Sequence, residues 1–277
     1  MSSTPLEVVL KRDRLLVLGG LVIVSALAWG YLFQQAHSMH QMNMDSMNMS
    51  GMDMSGTDMI SMAMPQTHSW GVVDLLLIFT MWAVMMVAMM VPTAGPMVLL
   101  FAAFNRKRRE QQRPFVPTSV FLLGYLTIWI AFSIIAALAQ WSLHRSALLS
   151  PMMVSTSPVL GGSLLVAAGI FQWTPLKNTC LTYCRSPLDF FSSHWRERTS
   201  GALSMGLRHG AYCVGCCWAL MALLFVAGVM NLFWIAVLSV FVLVEKTIPG
   251  RANKWVGRIA GFLLIGWGAW VGLAAFR

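Results

Sequence analysis

Long apolar runs separated by short polar segments dominate the chain, and their lengths predict its elements. Residues 15–33 form a first apolar run, close to the about 20 residues that cross a bilayer core as a helix. A second covers residues 72–104, longer than one crossing requires, and Pro92 and Pro96 are expected to kink or break its final turns. Further spans are predicted over 118–143, 159–173, 206–230, 231–244 and 259–276, the sixth following the fifth almost without a turn. One stretch breaks the pattern. Residues 34–70, containing MHQMNMDSMNMSGMDMSGTDMISMAMPQTH, carry no helix or strand periodicity and are predicted to be a loop without fixed structure until a ligand binds. The expected fold is therefore all-α: a polytopic transmembrane helical bundle of about seven spans. It divides into an anchor helix (1–33), a Met/His-rich loop (34–70) and a six-helix domain (71–277). Ala26-Leu27-Ala28 also fits a signal-peptidase site, so cleavage of the first run is the competing reading.

Composition agrees with the pattern. Of the 277 residues 57% are hydrophobic and 10% charged, against about 25% charged in soluble domains. A net charge of +9 would suggest nucleic acid in a soluble protein, but here position matters more than the sum. Of the 19 Lys and Arg residues, all but Arg145 and Arg277 fall on the N-terminal segment and on alternate connecting loops. That is the positive-inside distribution. It predicts a cytoplasmic N-terminus, an external loop at 34–70 that would be periplasmic in a Gram-negative bacterial host with the chain in the inner membrane, and a lipid rather than a nucleic-acid environment. The five cysteines, an odd number all in the second half, do not form a secreted disulfide framework. No internal repeat is evident. Gly257/Gly261 and Gly268/Gly272 have the spacing that lets one membrane helix pack closely on another.

Methionine is the outlier, at 22 residues. Met39, Met42, Met44, Met47, Met49, Met52, Met54, Met59, Met62 and Met64 crowd the external loop, bracketed by His37, His40 and His68 with Asp45, Asp53 and Asp58 between. A thioether is a soft neutral ligand suited to Cu(I) that needs no deprotonation. An ordinary linker would draw on Gly, Ser, Pro and charge instead. The loop resembles, in composition only, the methionine motifs of high-affinity copper transporters and periplasmic copper-resistance proteins. In the second span Met81, Met85 and Met89 recur at i+4, with Asp74 on the same side. This stripe is either a soft-metal path or core filling, and Asp74 either a ligand or a helix cap. As a path, the stripe has to face into the bundle, toward the fifth span.

The fifth span opens with RHGAYCVGCCWALM. His209, Cys213 and Cys216 lie within about 60° on a helix, with Cys217 close by. They offer imidazole and thiolates to a soft ion, and Cys180 and Cys184 form a second pair in the preceding segment. Zinc competes with copper at such a Cys/His set but gives the thioethers no role. Glu245 is expected to pair with Lys246 or Arg208 at a helix end.

The strings MWAVMMVAMMVPTAGPM, LKNTCLTYCRSP, HGAYCVGCCWALM and VEKTIPG, with the glycine-rich last helix, resemble a bacterial family of integral membrane proteins. That family is a domain of unknown function described as predicted metal-binding. The resemblance covers residues 70–275 and implies a helical membrane fold and a metal link, with no reaction attached.

Three functions fit. The first is Cu(I) transport inward, from the Met loop through the Met stripe to the His/Cys face. No Walker motif or phosphorylatable Asp-Lys-Thr-Gly string argues for a pump. The second is a membrane copper chaperone or tolerance protein that holds Cu(I) and delivers it without moving it across. The third is a thiol oxidoreductase on Cys213-Val-Gly-Cys216. The expected partners are the metal ion, the bilayer, a periplasmic or cytoplasmic copper chaperone, and other copies of the chain in an oligomer.

Overall fold

A computed structural model describes residues 5–49, 71–112, 116–146, 157–248 and 250–274, with the backbone alone for 5–14, 39–40, 42–49 and 251. Among the described residues every regular element is an α-helix: α1 (Pro5–Met49), α2 (Val72–Glu110), α3 (Thr118–Arg145), α4 (Pro158–Phe171), α5 (Pro175–Arg185), α6 (Pro187–His194), α7 (Arg198–Ala222), α8 (Leu224–Ala227), α9 (Leu232–Thr247) and α10 (Gly250–Ala274). Five stretches are long and apolar enough to cross a membrane: Leu15–Ser38 of α1, α2, α3, Arg198–Ala227 across α7 and α8, and Ala252–Ala274 of α10. The α4 and α5 helices meet at a 65° bend and make a sixth if taken as one span. At 16 residues, α9 is shorter than the about 20 that a crossing takes. The all-α expectation holds, and the set of helices is compatible with a membrane protein.

Two local expectations change and a third is filled in. Residues 34–49 of the predicted loop are helical, because α1 continues to Met49. Met and Gln are good helix formers even without an amphipathic period. Side-chain bonds one turn apart, Ser38 Oγ to the Gln34 carbonyl at 3.0 Å and Gln41 Nε2 with His37 Nε2 at 3.1 Å, run along its exposed surface. Next, Pro92 and Pro96 lie inside α2 without ending it. Prolines in a packed membrane helix are tolerated where local adjustment and packing compensate the two missing N–H donors, and here α2 is also held to α3 by the Tyr125 hydroxyl, which donates to the Met90 carbonyl at 3.0 Å. Finally, the polar connecting segment after residue 174 holds two short helices, with Pro175 and Pro187 in the first turns of α5 and α6, where a missing N–H costs nothing.

The bundle is laid out as a row: α1 on α2, α2 on α3, α3 on α7 and α7 on α5, with α4 and α10 packed together alongside. Glycine sets the closest approaches. A Cβ on Gly206 would stand 2.1 Å from the Phe121 carbonyl oxygen, and one on Gly124 2.4 Å from that of Leu203, so α3 and α7 touch backbone to backbone. At the α4/α10 seam a Cβ on Gly261 would lie 2.9 Å from the Gly169 oxygen, and one on Gly268 2.8 Å from that of Gly162. The glycine spacing in the last helix thus marks its contact with α4. Gly206→Val is expected to prevent recovery of monodisperse folded protein, because the obstacle is backbone and cannot rotate away. Gly266→Ala, with nothing within 4 Å, is expected to behave as wild type in the same size-exclusion assay. Gly228, at φ 94°, supplies the left-handed turn between α8 and α9 that other residues adopt only with strain.

The basic segments gather at one end of the bundle. Arg108 of α2 pairs with Glu197 and lies over the Trp195 ring at 5.3 Å. Arg185 Nη1 donates to the Ile248 carbonyl at 3.4 Å. Leu16 and Val17, just beyond the N-terminal cations, share a cleft with Asn105 and Arg109. At the other end Trp82 donates to Gln140 Oε1 at 2.6 Å and meets the Phe225 ring at 5.2 Å.

Candidate metal centre

Cys213 is the meeting point of four helices. Its Sγ lies 2.9 Å from Lys246 Nζ of α9 and 3.2 Å from the Tyr125 hydroxyl of α3. Lys246 also donates to Thr93 Oγ1 of α2 at 2.8 Å. The Cys184 thiol, from α5, lies beside those of Cys213 and Cys216. The Cys216 and Cys217 thiols turn back onto the Cys213 carbonyl at 3.1 and 2.9 Å, the local bond that short polar side chains make one turn along a helix. All four of these cysteines are buried, and Cys180 is half-buried with its Sγ 2.9 Å from where a Gly215 Cβ would stand.

His209, one turn before Cys213, is 1% exposed. Its ring stacks with Tyr125 at 5.4 Å and Phe121 at 6.0 Å, and meets Phe190 edge-on at 5.7 Å. Its Nδ1 has no hydrogen-bond partner among the described residues. A buried ring nitrogen without a partner costs free energy, and a soft cation is one way to satisfy it.

Among the described residues no group of three or more His, Cys, Asp and Glu side chains is arranged to hold a metal ion. The donor set that is present, several thiols around one sulfur that already faces an ammonium, suits an ion accepting two soft ligands. Cu(I) is such an ion, whereas structural Zn²⁺ takes four ligands in a tetrahedron.

The other sequence candidates are placed as follows. Met81, Met85 and Met89 are all buried, as are Met86, Met90 and Met97. The stripe is therefore covered by protein, but α2 packs mainly on α1 and α3 and less on α9; α7, the fifth span that a path had to face, is not among its principal neighbours among the described residues. Just past the stripe α2 is linked to the cysteines indirectly, since the Met90 carbonyl and Thr93 Oγ1 accept from Tyr125 and Lys246, both of which also contact Cys213. Asp74 accepts from the Gly71 backbone N–H at 2.9 Å, which makes it part of the start of α2. His37 is exposed on α1. Met39, His40, Met42, Met44, Met47 and Met49 have only their helical backbone described, and Met52, Met54, Met59, Met62, Met64 and His68 lie outside the described residues.

Glu245 pairs with Lys177 of α5, at 2.6 Å, instead of with Lys246 or Arg208. Adjacent helix residues point about 100° apart, so Glu245 and Lys246 face different neighbours. This separation hid Lys246 from sequence reasoning. Its signal was the VEK string itself, two opposite charges closing an apolar helix. Tyr125 and Thr93 gave no signal.

Fold and centre together define a class: an all-helical protein compatible with a membrane, whose interior gathers cysteine thiols, a histidine and a lysine at one level. The chain belongs to the PpoB2 copper chaperone family, whose profile matches residues 79–271. The match takes in the Met stripe and every cysteine, and nearly coincides with the region of the resemblance noted from the sequence. No curated protein and no solved structure matches the chain.

Proposed function

We propose that the protein is a membrane Cu(I) chaperone that holds the ion on Cys213 and a neighbouring thiol and passes it to a copper-dependent enzyme. The observation that carries this reading is Lys246 Nζ on the Cys213 sulfur. A Cu(I) ion between two thiolates carries one net negative charge, and burying an unbalanced charge is costly. The ammonium of Lys246 balances it. Cys184, Cys216 and Cys217 are the neighbours able to supply the second sulfur, and His209 Nδ1 is an auxiliary ligand. Half-buried Cys180, one turn from Cys184, is the exit ligand from which an incoming thiol or imidazole takes the ion. Transfer is ligand exchange and needs no change of oxidation state.

In this scheme residues 34–70 collect the ion and the Met81, Met85 and Met89 stripe leads it inward. The basic distribution supports a cytoplasmic N-terminus in a bacterial inner membrane. With α9 and the bent α4/α5 pair as spans the total is seven. The thiol oxidoreductase reading rests on the Cys213/Cys216 spacing alone, and zinc has no counterpart for the thioethers.

Transport is the second reading, favoured by the burial of the stripe. Vesicles reconstituted with the protein and offered Cu(I) distinguish the two. A chaperone binds the ion and leaves the lumen free of it, whereas a transporter fills the lumen. Met85→Leu with Met89→Leu is expected to slow loading of the cysteine centre while leaving its equilibrium affinity unchanged. Loading at the wild-type rate would remove the stripe from the path.

A further inference from the structure

Behind the Glu245 face of α9, away from the cysteines, lies a cavity of about 460 Å³ between the end of α4, the first turn of α5 and the start of α10. Its wall holds a buried polar set. Lys177 Nζ donates to Gln172 Oε1 and to both Glu245 oxygens, at 2.6 and 2.8 Å. An ammonium has three donors, so Lys177 is saturated and the Glu245 carboxylate is occupied. One group is left over. Gln172 is 4% exposed, and its Nε2, which is fully covered, has no hydrogen-bond partner among the described residues. The amide cannot turn over to relieve this, because Lys177 fixes its oxygen.

A buried amide donor without an acceptor costs about 1–3 kcal/mol, and an acceptor in the cavity removes that cost once a small side-chain shift brings the amide to it. Lys254 and Arg258 stand on the same wall, giving three cations with Lys177 against the single carboxylate. The first turn of α5 adds the positive end of a helix. A cavity edged by donors and cations recognises a ligand with several acceptor oxygens and negative charge. Space for it is continuous with Gly257, where a Cβ would lie no closer than 3.8 Å to the Gln172 carbonyl oxygen and 3.9 Å to Glu245 Oε1.

The geometry points to a binding site for a phosphate group, separate from the cysteine centre. The group belongs either to an anionic phospholipid headgroup, reached along the α4/α10 seam beside Trp173, or to a free phosphate-bearing solute. Basic pockets between membrane helices are suited to the former.

The test uses the full chain in detergent. Thermal unfolding is followed against inorganic phosphate at constant ionic strength, and separately against phosphatidylglycerol, with diacylglycerol as the phosphate-free control. Wild type is expected to be stabilised by at least one phosphate probe and not by the control. Stabilisation by inorganic phosphate alone identifies a soluble ligand, and stabilisation confined to phosphatidylglycerol identifies a headgroup. Lys254→Ala with Arg258→Ala is expected to raise the half-saturating concentration about tenfold, the scale of one charge-assisted hydrogen bond. Gly257→Leu is expected to abolish the effect by filling the space. Lys254 and Arg258 are exposed and Gly257 is buried beside the cavity, so circular dichroism checks that each variant folds before its result is read. No stabilisation of wild type by either probe, or equal stabilisation of wild type and both variants, overturns the proposal.

Discussion

Cys213→Ser is expected to abolish high-affinity Cu(I) binding, measured by competition with a Cu(I) chelator on the purified protein. Cys213 is the sulfur on which Lys246 and Tyr125 converge and beside which Cys184 lies. A hydroxyl there keeps the size and loses the soft donor that Cu(I) prefers. Lys246→Met separates charge from packing. It retains an unbranched stem in the 8% exposed position and deletes the ammonium, leaving a buried two-thiolate complex with uncompensated charge. Affinity is expected to fall by about 10–100-fold, the range typical of groups that support metal ligands. Lys246→Arg is expected to restore most of it. Unchanged affinity in Lys246→Met would remove the charge-balance argument and leave the cysteines as a neutral cluster. Cys180→Ser is expected to leave affinity intact while slowing transfer to an acceptor.

Lys177→Met is expected to destabilise the bundle by about 3–5 kcal/mol, the cost of leaving one partner of a buried ion pair alone. Both side chains of the Lys177–Glu245 pair are 3% exposed, so water from the adjoining cavity replaces the lost partner incompletely. The pair also ties α5 to α9, which carry Cys184 and Lys246 to the centre, so a weaker bundle should load copper less completely. Lys177→Met combined with Glu245→Leu is expected to recover most of the stability, since an apolar pair of similar volume pays no desolvation cost. Thermal unfolding of the two single variants and the double variant in detergent gives the coupling directly. A single-variant cost below about 1 kcal/mol, typical of exposed pairs, would mean that water reaches the pair.

These expectations rest on contacts between side chains far apart in the chain, and that separates the legible from the illegible here. Helices were legible because long apolar runs leave the backbone no other way to satisfy its hydrogen bonds in lipid. The basic segments were legible as a common end, and Arg108–Glu197 and Arg185 with Ile248 bring them together. The Cys/His string was legible as one helix face, because 3.6-residue periodicity needs no tertiary information. Element ends were less so. Met49 as the end of α1 and the passage of α2 through Pro92 and Pro96 depend on weak propensity and on neighbouring groups.

By itself the sequence determined an all-helical chain of membrane-crossing lengths, a basic end, and a soft-ligand face on the helix that bears His209 and Cys213. Local spacing fixes each of these. Only the tertiary structure decided that Cys184 joins that face from a helix 29 residues earlier in the chain, at Cys213. It also decided that Lys246 turns toward the sulfur while Glu245 turns away to Lys177. Two adjacent charges on one helix point to different neighbours, and which neighbour each meets follows from how the helices pack.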